Sequence, residues 1–298
     1  MKKKKNKIKS PYPMSLLVPG AVLYMALFFV PTILSLFFSL TRWTLQEWSF
    51  IGLENFKLYF SEEYLRIGFR NTIIYGFLTS ALKVIIGLYL ASFLSSKLRA
   101  SGFMRSVLFF PTLVSTIGVG ITFSILLNPW EGVVNQFIKW VAGLVGFTTD
   151  GPGWLVDPNL LPIISVSMVD VWKGVGIATL IYIAGIAAIP TDYYEAASID
   201  GASKRQQFYQ ITLPLVRPAM FTVIILSFVG GLRSFDLIWA MTGGGPGFIT
   251  DVLGSINYKQ YTSGYFGLAT AGNVILFALV SILVFPLARF LNKREVTM

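Results

Sequence analysis

The chain has 298 residues, of which 54% are hydrophobic and only 13% are charged. Its mean hydropathy of +0.68 is far above that of an ordinary soluble domain. It contains no cysteine and no histidine, which excludes disulfides, thiolate nucleophiles, the usual zinc sites and the commonest general base near neutral pH. The net charge of +10 fits either a nucleic-acid surface or a membrane protein with basic loops, and the placement of the basic residues decides between the two.

The chain opens with a basic tail, residues 1–13, that carries six lysines. The apolar stretch 14–40 follows it. This stretch is longer than the core of a signal peptide, about 7–15 residues, and no small-residue cleavage site closes it. It is therefore expected to remain in the protein as a signal anchor and first membrane span.

Five more stretches reach the length of about 20 apolar residues that a membrane-crossing helix needs. Because hydrocarbon offers open peptide groups no partner, the expected fold is an all-α membrane bundle of six helices. Four prolines inside these stretches predict kinks that neighbouring helices tolerate: Pro19, Pro31, Pro111 and Pro286. The predicted transmembrane domain occupies 14–298, with spans at 14–40, 72–96, 104–127, 161–189, 219–241 and 268–291.

Basic residues are unevenly divided between the two sides of this topology. With a cytoplasmic N-terminus, 15 Lys and Arg fall in inner segments and six in outer loops. The asymmetry predicts that both termini are cytoplasmic and accounts for the positive charge without nucleic acid. The outer segment 128–160 contains several prolines and glycines, so it is expected to form an external cap or loop, with no single long helix.

The inner loop 190–218 has strong local signals for a first short helix. Pro190 marks the end of the preceding span. Asp192 and Glu195 have the spacing of a capping box at a helix start, and Gly201 can adopt the left-handed conformation that ends a helix.

A second short helix follows in the same loop. Ser203 and Gln206 repeat the capping-box spacing, and Pro214 is expected to stop the helix. Helices of about eight to ten residues are marginal alone in water. The pair must therefore pack against something, and another cytoplasmic protein is the obvious candidate.

The loop resembles the EAA motif of ABC importer permeases in every fixed position, and this motif is highly specific. The matching residues are Glu195, Ala196, Ala197, Gly201, Ile211, Leu213 and Pro214. The resemblance implies the type I ABC importer permease fold, in which this segment forms cytoplasmic coupling helices seated in a cleft of a separate ATP-binding subunit. Small side chains allow close approach there, and Glu195 offers a charged contact. The alternative is an amphipathic loop that packs only on its own bundle.

The resemblance extends to the carbohydrate-uptake branch of that family, which includes maltose and glycerol 3-phosphate permeases. Segments 51–56, 189–202 and 242–247 carry it. It implies a sugar-importing permease subunit of the bacterial cytoplasmic (inner) membrane. Its implied partners are a second permease, two ATP-binding subunits and a periplasmic or extracellular solute-binding protein. The segment 52–56 favours a heterodimer, although some relatives form homodimers.

No nucleotide-binding motif occurs in the chain. The glycine run 243–247 lacks the Gly-Lys-Ser/Thr ending of a phosphate-binding loop and is expected to form a turn or a receptor contact. The chain is thus expected to be non-enzymatic and to bind no cofactor itself, with ATP and magnesium held by the partner ATPase subunits.

Charged residues inside predicted spans are costly and usually face a cavity or a partner. Lys83 is one such residue. Two further pairs, Asp170 with Lys173 and Arg233 with Asp236, have helical spacing and are expected to form structural ion pairs within one helix. The functional alternative is that these charged residues line a substrate pathway together with aromatic and amide side chains. Its candidate residues are Asp170, Trp172, Lys173, Tyr182, Arg233, Asp236, Trp239 and Asn273.

Other function classes fit less well. A secondary transporter would have buried acids without nearby bases, and usually repeated halves. An intramembrane enzyme would need a nucleophile with a base, or metal ligands. Among importers, an anionic sugar such as a uronate oligosaccharide, or a glycerol phosphate, is the alternative to a neutral sugar.

Overall fold

The computed structural model describes residues 14–44, 46–95 and 100–292. Within these ranges, four helices are long and apolar enough to cross a membrane, or six if each of two bent helix pairs is one span. The predicted all-α bundle is confirmed. The basic tail 1–13 lies outside the described residues.

Thirteen helices and one small sheet are named here within the described ranges. In chain order they are α1 (Ser15–Phe38), β1 (Thr41–Trp43), β2 (Trp48–Phe50), α2 (Glu54–Ser61), α3 (Glu63–Leu94), α4 (Ser101–Leu113), α5 (Thr116–Leu126), α6 (Val133–Leu144), α7 (Leu161–Ala187), α8 (Thr191–Ile199), α9 (Lys204–Leu215), α10 (Arg217–Leu232), α11 (Asp236–Thr242), α12 (Leu253–Thr262) and α13 (Phe266–Asn292).

The β1–β2 hairpin was not predicted from the sequence. Its strands are antiparallel, with Arg42 opposite Ser49. The buried Asn55 amide secures it by donating to the carbonyl oxygens of Ser39 (2.9 Å) and Thr41 (2.8 Å). We call this end of the bundle the hairpin end, and the opposite end, where α8 and α9 lie, the loop end.

Helix α3 is central and packs against both α7 and α10. Near the hairpin end, Tyr75 of α3 lies in one apolar cluster with Ile163 of α7. Near the loop end, Leu94 lies in a second cluster with Tyr182. Helices α3 and α7 therefore run side by side in the same direction, with one apolar cluster toward each end. A third cluster joins Leu65 of α3 to α12 and α13.

Glycines set the closest helix contacts. A Cβ atom added to Gly231 of α10 would lie 2.7 Å from Thr79 Oγ1 and 2.9 Å from Gly76 Cα. Such close backbone approach is typical of helix packing in lipid, where van der Waals contact replaces the hydrophobic effect as the main attraction.

The third predicted span, 104–127, is not one straight helix. Helices α4 and α5 meet at 92°, because Val114 and Ser115 take extended or near-extended backbone angles. Pro111 lies inside α4, three residues before the break. The apolar composition predicted the location of the span, and Pro111 predicted a kink within it, although not the size of the bend.

The fifth predicted span, 219–241, is wrong as a continuous helix. Helix α10 ends at Leu232, and Arg233 and Phe235 depart from helical angles before α11 begins. Gly230 and Gly231, with the polar residues Arg233 and Ser234 just after Leu232, weaken the helix here. A hydropathy average over an 18-residue window does not detect this interruption, because the residues on both sides of it are apolar.

The segment 128–160 is partly helical, since it contains α6. Asn135 is buried and organises the turns on either side. Its amide donates to the carbonyl oxygens of Pro129 (2.8 Å) and Pro152 (3.0 Å), and its oxygen accepts from the indole of Trp154 (2.7 Å). The prediction that no single long helix spans this segment is confirmed.

We expect Gly231→Ala to destabilise the protein and Gly230→Ala to leave it unchanged, although the two glycines are neighbours on α10. A Cβ at Gly231 meets the backbone of α3, whereas a Cβ at Gly230 meets nothing within 4 Å. Overpacking of this kind costs about 1–3 kcal/mol. Thermal unfolding in detergent checks the difference, and equal midpoints for the two variants would contradict the close helix contact.

Candidate functional site

Helix α8 and the turn after it form the first part of the candidate coupling segment. Gly201 has φ +78°, the left-handed conformation expected for a helix-ending glycine. The Ala202 amide then donates to the Ala197 carbonyl oxygen at 2.8 Å, and the Gly201 amide donates to that of Ser198 at 3.2 Å. Both carbonyls would otherwise lack a partner at the helix end.

The predicted capping box at the start of α8 is wrong. The helix begins at Thr191 with Pro190 as its N-cap, and no side chain caps it. Asp192 therefore lies one residue inside the first turn. There its carboxylate interacts favourably with the helix dipole without bonding as a cap.

The second predicted capping box is confirmed. Ser203 Oγ accepts from the Gln206 amide (3.3 Å), and Gln206 Oε1 accepts from the Ser203 amide (2.7 Å). Pro214, however, does not stop the helix. The chain passes it after a five-residue π-helical turn, Phe208–Thr212, and α9 ends at Leu215.

The π-helical turn explains why this proline is tolerated. Proline has no amide hydrogen and its ring collides with the carbonyl four residues earlier, and a local π turn re-spaces the backbone at that point. A similar π turn, Met25–Phe29, precedes Pro31 in α1. Sequence reasoning identified the prolines but not this local solution.

Polar contacts join α8 to α9. Gln207 is buried, and its amide donates to Ser198 Oγ (2.9 Å) and to the Ala202 carbonyl oxygen (3.2 Å). The hydroxyls of Tyr194 and Thr212 lie 2.9 Å apart and share a hydrogen bond. The two helices therefore form one unit.

Apolar contacts attach this unit to the spans. Leu213 packs against the loop-end cluster, in which Val216 is buried. Ile211 is half-buried. These contacts place the C-terminal half of the motif against the bundle.

The outward face of α8 is unusually apolar for a surface. Ile199 is 87% exposed and Tyr193 is 53% exposed. With the exposed Ala196, they form a stripe at a spacing of three residues on one side of the helix. Glu195 is also exposed and adds a negative charge near the stripe. Such a face is expected to be covered by a partner.

A buried ion pair joins α3 to α7. Lys83 Nζ lies 2.6 Å from Asp170 Oδ2, and both side chains are largely buried. The predicted pairing of Asp170 with Lys173 on one helix is therefore wrong. Asp170 pairs across helices, and Lys173 has no acidic group within 4 Å among the described residues.

The predicted pairing of Arg233 with Asp236 is also wrong. The two residues lie on opposite sides of the break between α10 and α11, so helical spacing does not bring them together. Both side chains are exposed, and they make no ion pair within the described part of the chain.

The remaining predicted pathway residues lie in three places. Trp172 is exposed on α7, 5.3 Å from the ring of Phe123. Tyr182 is completely buried near the loop end, and its hydroxyl has no partner among described residues. Trp239 and Asn273 both lie toward the hairpin end, where Trp239 contacts Tyr258 at 4.9 Å between ring centroids.

The glycine run 243–247 forms a turn, as predicted. Gly243, Gly244, Gly245 and Gly247 all have positive φ. Beyond the run, the completely buried Asp251 binds Lys259 (2.6 Å) and accepts from Ser255 (2.6 Å). Asp251 and Lys259 were not predicted as a pair, because they meet only after the turn folds.

Comparison with known protein families shows what this arrangement is similar to. The family described as "Binding-protein-dependent transport system inner membrane component" matches residues 83–296, a range that includes the α8–α9 unit and five of the six predicted spans in whole or in part.

Several relatives share sequence over most of their length. The probable ABC transporter permease protein YurN of Bacillus subtilis is 32% identical over 95% of this chain and 97% of its own. The trehalose/maltose transport system permease protein MalF of Thermococcus litoralis is 34% identical over 78% and 77%. The sn-glycerol-3-phosphate transport system permease protein UgpA of Agrobacterium fabrum is 31% identical over 95% of each chain.

Solved structures share the fold. A chain of a bacterial ABC transporter involved in the import of the acidic polysaccharide alginate matches with a TM-score of 0.80 and 21% identity, covering 95% of both chains. A bacterial alginate ABC transporter in complex with an alginate pentasaccharide-bound periplasmic protein matches with a TM-score of 0.78 and 20% identity, covering 94% of this chain and 92% of that one.

We expect the Lys83–Asp170 pair to show strong coupling in a double-mutant cycle. Lys83→Met or Asp170→Leu alone leaves a largely buried charge without its partner, which costs about 3–5 kcal/mol. The double variant removes both charges and should recover most of that loss. Asp236→Leu is the control, because this acid is exposed and makes no ion pair with any described residue. Unfolding midpoints in detergent measure all four variants, and additive losses would contradict the pairing.

Proposed function

This chain belongs to the family of binding-protein-dependent transport system inner membrane components, and from that membership we propose that it forms half of the transmembrane pathway of an ATP-driven importer for sugars or oligosaccharides. It pairs with a second permease, most simply a different chain. Two separate ATP-binding subunits hold ATP and magnesium and perform the hydrolysis, so the chain itself is not an enzyme.

The single observation that carries the proposal is the outward face of α8. An apolar stripe on a short helix is unstable in water unless a partner covers it, and Ile199 and Tyr193 are exposed there beside the acidic Glu195. The residues of this helix match the coupling motif of ABC importer permeases. The partner that fits is the ATP-binding subunit.

Motion of that partner would reach the pathway through rigid connections. Helix α8 is hydrogen-bonded to α9, and α9 leads through a 68° bend into α10. Helix α10 packs against α3 through Gly231 and Gly76. A displacement of α8 on ATP binding therefore tilts α10 against its neighbours, which is the movement that alternating access needs.

Charge placement supports the orientation. The excess of Lys and Arg in segments next to the loop end makes that end, and both termini, cytoplasmic in the bacterial inner membrane. The hairpin end then faces the solute-binding protein. Pro246 and Phe248 in the glycine turn at this end are exposed. The Phe248 ring contacts Tyr64 and Lys259, and its remaining surface is available for the binding protein.

Sugar is the preferred substrate class because a relative named for trehalose and maltose is 34% identical. An anionic substrate is the second candidate, because Lys173 and Arg233 have no acidic partner among the described residues. The relative named for sn-glycerol 3-phosphate is consistent with that alternative. Competition of uptake by glycerol phosphate or uronate, compared with neutral disaccharides, separates the two.

We expect Gly201→Val to abolish coupling while the protein still inserts and folds. Valine is strained at φ +78°, although nothing lies within 4 Å of its Cβ, so the strain should displace α8 relative to α9. Gly146→Val is a matched control: Gly146 also has positive φ, +83°, and open space, but it follows α6, away from the coupling segment.

Both glycine variants should fold, and only Gly201→Val should reduce ATP-driven uptake in reconstituted vesicles, by about tenfold or more. Stimulation of ATP hydrolysis by the loaded binding protein should fall in parallel. Equal uptake by the two variants would contradict a coupling role for the turn at Gly201.

We expect Ile199→Asp to release the ATP-binding subunits from the purified complex. A charge placed in an apolar contact must be desolvated without a partner, which costs several kcal/mol. Ile199→Val keeps most of the apolar surface and should retain the subunits. Their ratio to the permease after affinity purification is the measurement, and retention by Ile199→Asp would show that the stripe is not their contact.

A further inference from the structure

A cavity of about 450 Å³ opens at the hairpin end between α12 and α13. Five aromatic side chains line it: Trp43, Phe235, Tyr258, Tyr261 and Phe266. Its volume lies within the range of about 300–1,000 Å³ that is usual for small-molecule sites. None of the described residues that line it is charged.

The aromatic rings form two contacting groups. Phe266 lies 5.3 Å from Trp43 and 5.2 Å from Tyr261 between ring centroids. Phe235 lies 5.4 Å from Tyr258. Rings of this kind offer flat faces to the C–H surfaces of a sugar ring, and two of the lining residues, Tyr258 and Tyr261, also carry a hydroxyl.

Three polar side chains make a hydrogen-bonded chain beside these rings. Tyr59 donates to Asn257 Oδ1 (2.7 Å), and the Asn257 amide donates to Asn273 Oδ1 (2.9 Å). Burial raises the pKa of Tyr59, so its hydroxyl stays protonated as the donor. Asn257 and Asn273 both line the cavity.

The end of this chain of hydrogen bonds is open. Asn273 is exposed, and its Nδ2 group donates no hydrogen bond to any of the described residues. An amide on a membrane-crossing helix is costly against lipid and usually faces a cavity. Asn273 therefore supplies a donor to whatever fills this one.

Gly272, next to Asn273, lies in close contact with Tyr59 and Asn257. Any Cβ at Gly272 would overlap Tyr59 Oη and Asn257 Oδ1. Glycine thus allows the Tyr59–Asn257 hydrogen bond to form against the surface of α13. The fold itself therefore positions the side-chain amides of Asn257 and Asn273, without a ligand.

We propose that this cavity is a binding site for one neutral sugar unit at the hairpin-end entrance of the permease, with Tyr258 as a stacking platform and Asn273 as a hydroxyl-binding amide. The proposal rests on the proposed import function and adds a subsite to it. Aromatic faces and amides without charge select an uncharged, polyhydroxylated ligand over lipid or an anion.

The test uses the permease in nanodiscs with its co-purifying subunits and without the solute-binding protein. Saturation-transfer difference NMR is recorded with a mixture of maltose, trehalose and lactose, and separately with glucuronate. We expect signals from the neutral sugars, with an apparent affinity about tenfold weaker in Asn273→Leu and in Tyr258→Ala, a loss of the size expected for one hydrogen bond or one stacked ring. Phe277→Ala, one turn further along α13 at an exposed position outside the lining, is the control.

Absence of signal from all three neutral sugars at about 10 mM, or equal affinity in Tyr258→Ala and Phe277→Ala, overturns the subsite, as does stronger binding of glucuronate. ATP-driven uptake by the wild-type complex distinguishes the two proposals. If the wild type imports sugar but the cavity variants bind and import normally, only the subsite fails. If no uptake occurs at all, the import function fails.

Discussion

Hydrocarbon provides no water to bind an open peptide group or to solvate a lone charge, and helices in lipid gain little by hydrophobic association. In this chain, close helix–helix contacts and polar groups paired within the bundle stabilise the packing around α3. Gly76 and Gly231 bring α10 against it, and the ion pair of Lys83 with Asp170 fixes α7 beside it. The positions of the helices at both ends follow from these contacts.

The two ends of the bundle are attached to this centre in different ways. At the hairpin end, Asn71 of α3 donates to the carbonyl oxygens of Ile249 (2.8 Å) and Asp251 (3.0 Å), and Thr72 accepts from the Leu253 amide (2.9 Å). At the loop end, α9 contacts α3 through aromatic side chains instead: Phe208 stacks on Tyr89 with 6.1 Å between ring centroids, and the exposed side chains of Tyr209 and Tyr89 also interact. The arrangement suits a molecule whose loop end moves with a partner while its opposite end keeps the shape of a binding surface.

Composition and periodic apolar runs sufficed to predict the helical bundle and its approximate spans, because both depend on averages over about 20 residues. Local glycine and serine chemistry sufficed for the turn at Gly201 and the cap at Ser203. Pro111 predicted a kink in the third span, and the chain bends three residues later, whereas the break at Arg233 was missed because an average over about 20 residues does not register an interruption with apolar residues on both sides. The pairing of Asp170 with Lys83 was missed because spacing along one helix favoured Lys173, whereas the true partner lies 87 residues away. The aromatic cavity likewise assembles from three separate parts of the chain.

The central claim, that α8 contacts an ATP-binding subunit, is tested most directly by site-specific cross-linking. The chain has no cysteine, so an Ile199→Cys variant carries a single site for benzophenone maleimide. Illumination of the intact complex in membrane vesicles should join this position to a nucleotide-binding protein identified by mass spectrometry, with a yield that changes when ATP is added. Cross-links found only within the permease itself would contradict the account.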